Sequence, residues 1–245
     1  MLPAIVALHY WTGSGREFEP LRPLLPPGQT LLAPDLPGFG GQAAPAGFDY
    51  TVISYVAWLK GFIAEHNLRD FLLLGHSMGG KIALAAAARS LPGLRGLLLL
   101  SPSPPGPEPM TDADRAASLA AHGQPAAAVK TLARISVAPL PAAARASIIE
   151  DNLRTTPAAW AAWLTGGSRE DLTALMPQLH VPCRLLVGAA DQAISPATQR
   201  QHTLPLLPAG TPLEEIPGTG HLLPLEAPAR VAAALADLTR QVASR

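Results

Sequence analysis

Short uninterrupted apolar runs alternate with longer amphipathic stretches along the first hundred residues. Ile5 to Leu8, Thr30 to Ala33, Phe71 to Leu74 and Leu97 to Leu100 each read as a buried strand. Between them, Glu17 to Leu25 predicts a short helix. Thr51 to Glu65 predicts a longer one, with Val52, Tyr55, Val56, Leu59 and Phe62 recurring on one face. Lys81 to Arg89 predicts an Ala-rich helix soon after the third strand. The texture changes at Pro102. The segment Ser103-Pro104-Pro105-Gly106-Pro107-Glu108-Pro109 reads as a stiff linker. Helical stretches then follow near 112–122, 125–136, 141–153 and 157–165 without a strand signal. Strand–helix alternation resumes with Cys183 to Gly188, a helix near 196–204, Leu213 to Ile216 and a final helix from Pro228 to Val242.

That order predicts an α/β fold: a mostly parallel sheet of about six strands with helices on both faces. Residues 1–102 and 171–245 should form its core, and 103–170 an inserted helical cap. Because the insertion falls at one strand-to-helix junction, the cap is expected above the carboxyl edge of the sheet, where ligands bind in such folds.

Composition narrows the partners. The 245 residues carry 18 Lys+Arg and 18 Asp+Glu, so there is no net basic charge to attract nucleic acid or an anionic membrane surface. No apolar run approaches membrane-spanning length, and Met1-Leu2-Pro3 leads into the first strand without a basic leader. A cytoplasmic protein is expected, with a small molecule as its substrate. The single cysteine, Cys183, has no partner for an internal disulfide and reads as buried filler. Seven histidines include no H-E-x-x-H or close pair, so no metal is expected, and Gly38-Phe39-Gly40-Gly41 lacks dinucleotide-loop spacing. No cofactor is implied.

The chemistry centres on Gly75-His76-Ser77-Met78-Gly79-Gly80, between the third strand and its helix. A serine in a sharp strand-to-helix turn is pushed out at the sheet edge, and flanking glycines let strand and helix approach closely. The helix that starts there turns free N–H groups and the positive end of its dipole toward the same spot. A serine hydroxyl needs a base, and the base needs an orienting group. Asp191, just past the strand ending at Gly188, and His221, in Gly218-Thr219-Gly220-His221, supply one candidate each. All three follow strand ends, so a parallel sheet would gather them. His9 and His76 are expected to be satisfied by backbone or packing, Asp35 to accept N–H groups of its own loop, and Lys81 to face solvent.

Over essentially its whole length the chain resembles the α/β-hydrolase family. Leu8-His9 with Gly13-Ser14 is similar to the family's oxyanion loop, and Asp35-Leu36-Pro37-Gly38-Phe39-Gly40 to its D-x-x-G-x-G loop. Gly75 to Gly80 resembles its nucleophile elbow, and GHSMGGK is similar to small bacterial serine esterases. Gly188 to Pro196 and Gly220 to Pro228 resemble its acid and base segments. Most relatives begin with a two-strand hairpin that is missing here. Their His-Gly pair is His9-Tyr10 in this chain.

The resemblance implies a cofactor-free serine hydrolase that cleaves a small, apolar carboxylic ester or thioester through an acyl-enzyme. Ser77 would be nucleophile, His221 base and Asp191 its orienting acid, with Met78 and Trp11 as oxyanion donors. Tyr10, Trp160, Trp163 and Leu222 are candidate pocket residues, the two tryptophans equally readable as cap core. Two other reactions use the same three groups: hydrolysis of a carbon–carbon bond, and a proton-abstracting elimination of the menaquinone-pathway lyase type. Their acidic substrates would want Arg134, Arg145 and Arg154 turned inward. A non-catalytic binding protein on this fold would need a broken set of three, and none is broken here.

Overall fold

The computed structural model describes residues 2–244. Six strands, β1 (Ala4–Leu8), β2 (Leu31–Leu32), β3 (Phe71–His76), β4 (Leu94–Leu100), β5 (Cys183–Gly188) and β6 (Leu213–Ile216), pair in the order β2-β1-β3-β4-β5-β6. Every pairing is parallel. The fold is thus the expected α/β-hydrolase architecture.

Both faces of the sheet are covered, which explains why its strands read as continuous apolar runs rather than alternating ones. Val6, Leu8, Leu73, Leu97, Leu99 and Leu185 point to one face, where α1 (Val52–Glu65) and α2 (Met78–Ala88) pack. Ile5, Ala7, Leu72, Leu74, Leu98 and Leu186 point to the other, against α9 (Pro228–Ala243) and a 3₁₀ segment at Gly15–Leu24. The period of two along each strand sorts neighbours to opposite sides.

Four helices, α3 (Asp112–Ala120), α4 (Pro125–Ile135), α5 (Ala142–Arg154) and α6 (Pro157–Thr165), lie between β4 and β5. Two short helices, α7 (Pro196–Thr198) and α8 (Leu223–Glu226), complete the core. Among the described residues, no helix is long and apolar enough to cross a membrane.

Three expectations are corrected. The helix expected at Glu17 to Leu25 is a 3₁₀ segment, because Pro20 and Pro23 lack the N–H groups an α-helix needs. The helix expected near 196–204 begins as α7 but passes into a π turn at Gln199–Thr203 and a 3₁₀ turn at Leu204–Leu206, with Pro205 inside. Lys81 does not face solvent. All of α2 is buried, and Lys81 Nζ donates to the carbonyls of Gly106 (3.0 Å) and Glu170 (2.6 Å). These two residues sit where the chain leaves for and returns from α3–α6, so one ammonium ties both connections to α2. Burial lowers its pKa to about 8, while nearby Glu108, Glu170 and Asp171 oppose that shift.

Candidate active site

The carboxyl ends of β3, β5 and β6 converge on Ser77, Asp191 and His221. Ser77 stands between β3 and α2 at φ 52° and ψ −115°, a conformation that L-residues seldom adopt. Close approach holds it there: a Cβ on Gly79 would lie 2.2 Å from the carbonyl oxygen of Leu8. The N–H of Met78, first residue of α2, has no acceptor within its own helix.

Asp191 and His221 are directly joined. His221 Nδ1 donates to Asp191 Oδ2 across 2.7 Å, while Asp191 Oδ1 accepts from the N–H groups of Ala193 (2.8 Å) and Ile194 (3.0 Å). With Nδ1 fixed as donor, Nε2 is the nitrogen left to act as base. The two loops are pressed together at Gly188, where a Cβ would meet the Gly220 carbonyl at 1.9 Å, and Ala190 N–H donates to Thr219 O. Burial alone would disfavour charge on either group. Their mutual attraction, together with the Ile194 N–H at Asp191 and the Glu17 and Glu108 carboxylates near His221, outweighs it, holding the Asp191 carboxyl below and the His221 imidazole above its ordinary value.

Further contacts set the His221 loop. Its N–H donates to Ile135 O at the end of α4, and its carbonyl accepts from His76 Nε2 (2.8 Å). The Glu226 carboxylate accepts four backbone N–H groups at 2.8–3.0 Å, from Gly220, Leu222, Val137 and Ala138. It clasps the loop to the chain that leaves α4.

His9 donates from Nδ1 to Tyr10 O and accepts at Nε2 from Leu36 N–H, an arrangement of the neutral ring; burial lowers its pKa. Asp35 accepts from Gly15 and Gly41. The loop after β1 turns at Thr12 (φ 71°), and Tyr10 is not among the residues with positive φ. Tyrosine therefore fits the backbone at the position where relatives of the resemblance carry glycine.

Ser77 and His221 open on a cavity of about 210 Å³. Its wall includes Tyr10 and Trp163, two of the candidate pocket residues, and Trp11, the candidate oxyanion donor. Trp160 and Leu222 lie elsewhere. Trp160 packs against Trp11 with ring centroids 4.5 Å apart and planes tilted by 49°, and donates from Nε1 to Ser118 O; Leu222 is fully buried beside Leu132 and Ile135. The pocket wall expected from those two is thus revised to packing behind it.

A model described as the alpha/beta hydrolase family matches residues 5–234. The chain belongs to the alpha/beta hydrolase family. Among solved structures, this hydrolase-fold chain is similar to a bromoperoxidase from Bacillus anthracis, at TM-score 0.88 and 18% identity, covering 98% of this chain and 92% of that one. It is likewise similar to an esterase from Exiguobacterium antarcticum, at TM-score 0.86 and 21% identity, covering 97% and 92%. At such identities the likeness is one of fold. In sequence it is similar to the 2-succinyl-6-hydroxy-2,4-cyclohexadiene-1-carboxylate synthase of Salmonella paratyphi B, 39% identical over 98 residues. That match spans 40% of this chain and 37% of the relative's length.

The hydrolase-fold cavity also holds Arg134, which the sequence reading named, and two carboxyls that it passed over. Glu108, only 9% exposed, shares the wall with Asp114 and Arg134. Burial pushes the Glu108 carboxyl above its ordinary value, opposed by Ser103, Lys81, Arg115 and His221. One signal was available: Glu108 is the sole acidic residue in the Pro-rich stretch 102–109, which needs no charge for stiffness.

Proposed function

We propose that this chain is a serine hydrolase acting on a small carboxylic ester or thioester. Ser77 Oγ attacks the acyl carbon as His221 Nε2 takes its proton, and Asp191 steadies the imidazolium that forms. The N–H groups of Met78 and Trp11 receive the developing oxyanion; one such donor is typically worth about 3–4 kcal/mol. His221 returns the proton to the leaving alcohol or thiol and then activates water to release the acid. Helices α3–α6 serve as the cap, contributing Asp114, Thr131, Arg134 and Trp163 to the cavity wall.

The observation that carries this reading is the 2.7 Å bond between His221 and Asp191, with the imidazole on the same cavity as a serine held at positive φ. It is tested by turnover of p-nitrophenyl acetate, which should be lost in Ser77→Ala and His221→Gln.

A second reading is a proton-abstracting lyase on the same residues, favoured by the synthase named above and by Arg134 on the cavity wall. Two observations weigh against an anionic substrate. Arg154 is committed to Glu150 and Asp151, and the carboxyls of Glu108 and Asp114 face the same space as Arg134. Feeble turnover of simple p-nitrophenyl esters by folded protein would favour the lyase.

A further inference from the structure

A second cavity, of about 260 Å³, adjoins the first. The surface it presents is mainly apolar, from Ala143, Ala144 and Ile148 of α5 together with Leu225, and the carboxylates that also line it, Glu17 and Asp151, are paired with His76 and Arg16. Tyr10 is the one residue that lines both spaces.

The ring of Tyr10 is a fixed partition. It is 4% exposed and packs with Leu132, Ile135, Ile148 and Leu222. On its other sides it lies 5.3 Å, centroid to centroid, from the His76 ring and so close to Gly13 that a Cβ there would sit 2.4 Å from a ring carbon. On the catalytic side the space is small. An engineered apolar cavity of about 150 Å³ binds benzene, so about 210 Å³ is the scale of a short ester.

We propose that Tyr10 sets the chain length of the substrate. With Tyr10 in place the enzyme takes esters whose chains are a few carbons long. The space behind it is an apolar chain site that opens when the ring is removed. This rests on the hydrolase reading for its choice of substrate, though not for the site itself.

The test compares kcat/KM on ethyl acetate, octyl acetate and ethyl octanoate, the last two extending the alcohol and acyl sides in turn. In Tyr10→Ala the ratio of one long ester to ethyl acetate should rise roughly 10-fold or more, the discrimination that one or two methylenes carry in an apolar pocket. Adding Ala144→Trp, which fills the second space, should return that ratio to the wild-type value. A general loosening of the packing would not be reversed in this way. If Tyr10→Ala does not fold, Tyr10→Leu shortens the partition while keeping an apolar side chain.

Calorimetric binding of octan-1-ol reads the joined space without turnover. It should tighten in Tyr10→Ala and weaken again in the double variant. Wild-type protein with no esterase activity but with this binding pattern would sink the hydrolase reading alone. A folded variant with unchanged ester ratios and unchanged octanol affinity would overturn the role of Tyr10, as would a gain that Ala144→Trp leaves intact.

Discussion

His76 Nε2 donates to the backbone carbonyl of His221 across 2.8 Å, linking the residue before the candidate nucleophile to the candidate base. Its other nitrogen, Nδ1, lies 3.0 Å from the buried Glu17 carboxylate. A side chain read from sequence as satisfied by backbone or packing therefore sets the height of the His221 loop relative to Ser77. Replacement by alanine leaves the buried Glu17 carboxylate without its partner, while the His221 carbonyl keeps only the Leu223 N–H; an unsatisfied buried group costs about 1–3 kcal/mol. Chemical denaturation of His76→Ala should show a loss in that range. Its kcat should fall further than its KM changes, because His76 does not itself line the cavity.

The pH profile follows from the Asp191–His221 pair. The base must be neutral to act, and its folded-state pKa is raised: burial opposes charge, but Asp191 together with Glu17 and Glu108 outweighs it. The acid limb of kcat/KM should therefore have its midpoint above about 6.5, the ordinary histidine value. Asp191→Asn removes that support and leaves the wrong tautomer favoured. A fall of roughly 10⁴-fold in kcat is expected, as for loss of the orienting carboxylate in other serine–histidine relays. Steady-state rates from pH 5 to 9 on both proteins check the pair; an unchanged rate in the asparagine variant would contradict it.

Glu226 touches no part of the cavity wall, yet its carboxylate gathers four N–H groups around His221 and at the exit from α4. Hydrogen bonds to a charged acceptor are each worth about 1.5–3 kcal/mol. Glu226→Ala should lower stability by several kcal/mol and free the loop. Glu226→Gln keeps an acceptor oxygen and should recover part of both stability and kcat. Melting curves and single-turnover rates on the two variants separate positioning from bulk.

Lys81 gives a stability prediction with a definite sign. Its folded pKa of about 8 lies below the unfolded value of about 10.4. Between those values the unfolded chain holds the proton more tightly, so this group makes stability rise as pH increases through that window. Lys81→Met removes the contribution. Subtracting its unfolding free energies from those of the wild type, from pH 7 to 10, should leave a positive slope above pH 8. A flat or negative slope would contradict the burial of a titrating amine at this position.

Much of this architecture is legible in the chain because its signals are local. Leu72-Leu73-Leu74 bounded by Gly75 can only be a strand entering a turn, and the three candidate residues each follow such a strand. Parallel pairing does the rest. What the sequence hides depends on partners far away. Lys81 looks like an ordinary surface residue until the carbonyls of Gly106 and Glu170, 25 and 89 positions on, meet its ammonium. The four donors of Glu226 likewise come from two segments, and nothing in the sequence near Glu226 announces the pair at Val137 and Ala138. Trp160 and Trp163 are three apart on one helix, and only the tertiary contact with Trp11 shows that the first packs behind the wall while the second lines it.

The central claim is that Ser77 is a nucleophile driven by His221. A fluorophosphonate probe tests it directly, since phosphonylation of a serine needs the same attack and the same base. Peptide mapping should find the label on Ser77 in the wild type, none in Ser77→Ala, and strongly slowed labelling in His221→Gln. Folded wild-type protein that stays unlabelled, or that carries the label on another residue, would contradict the account.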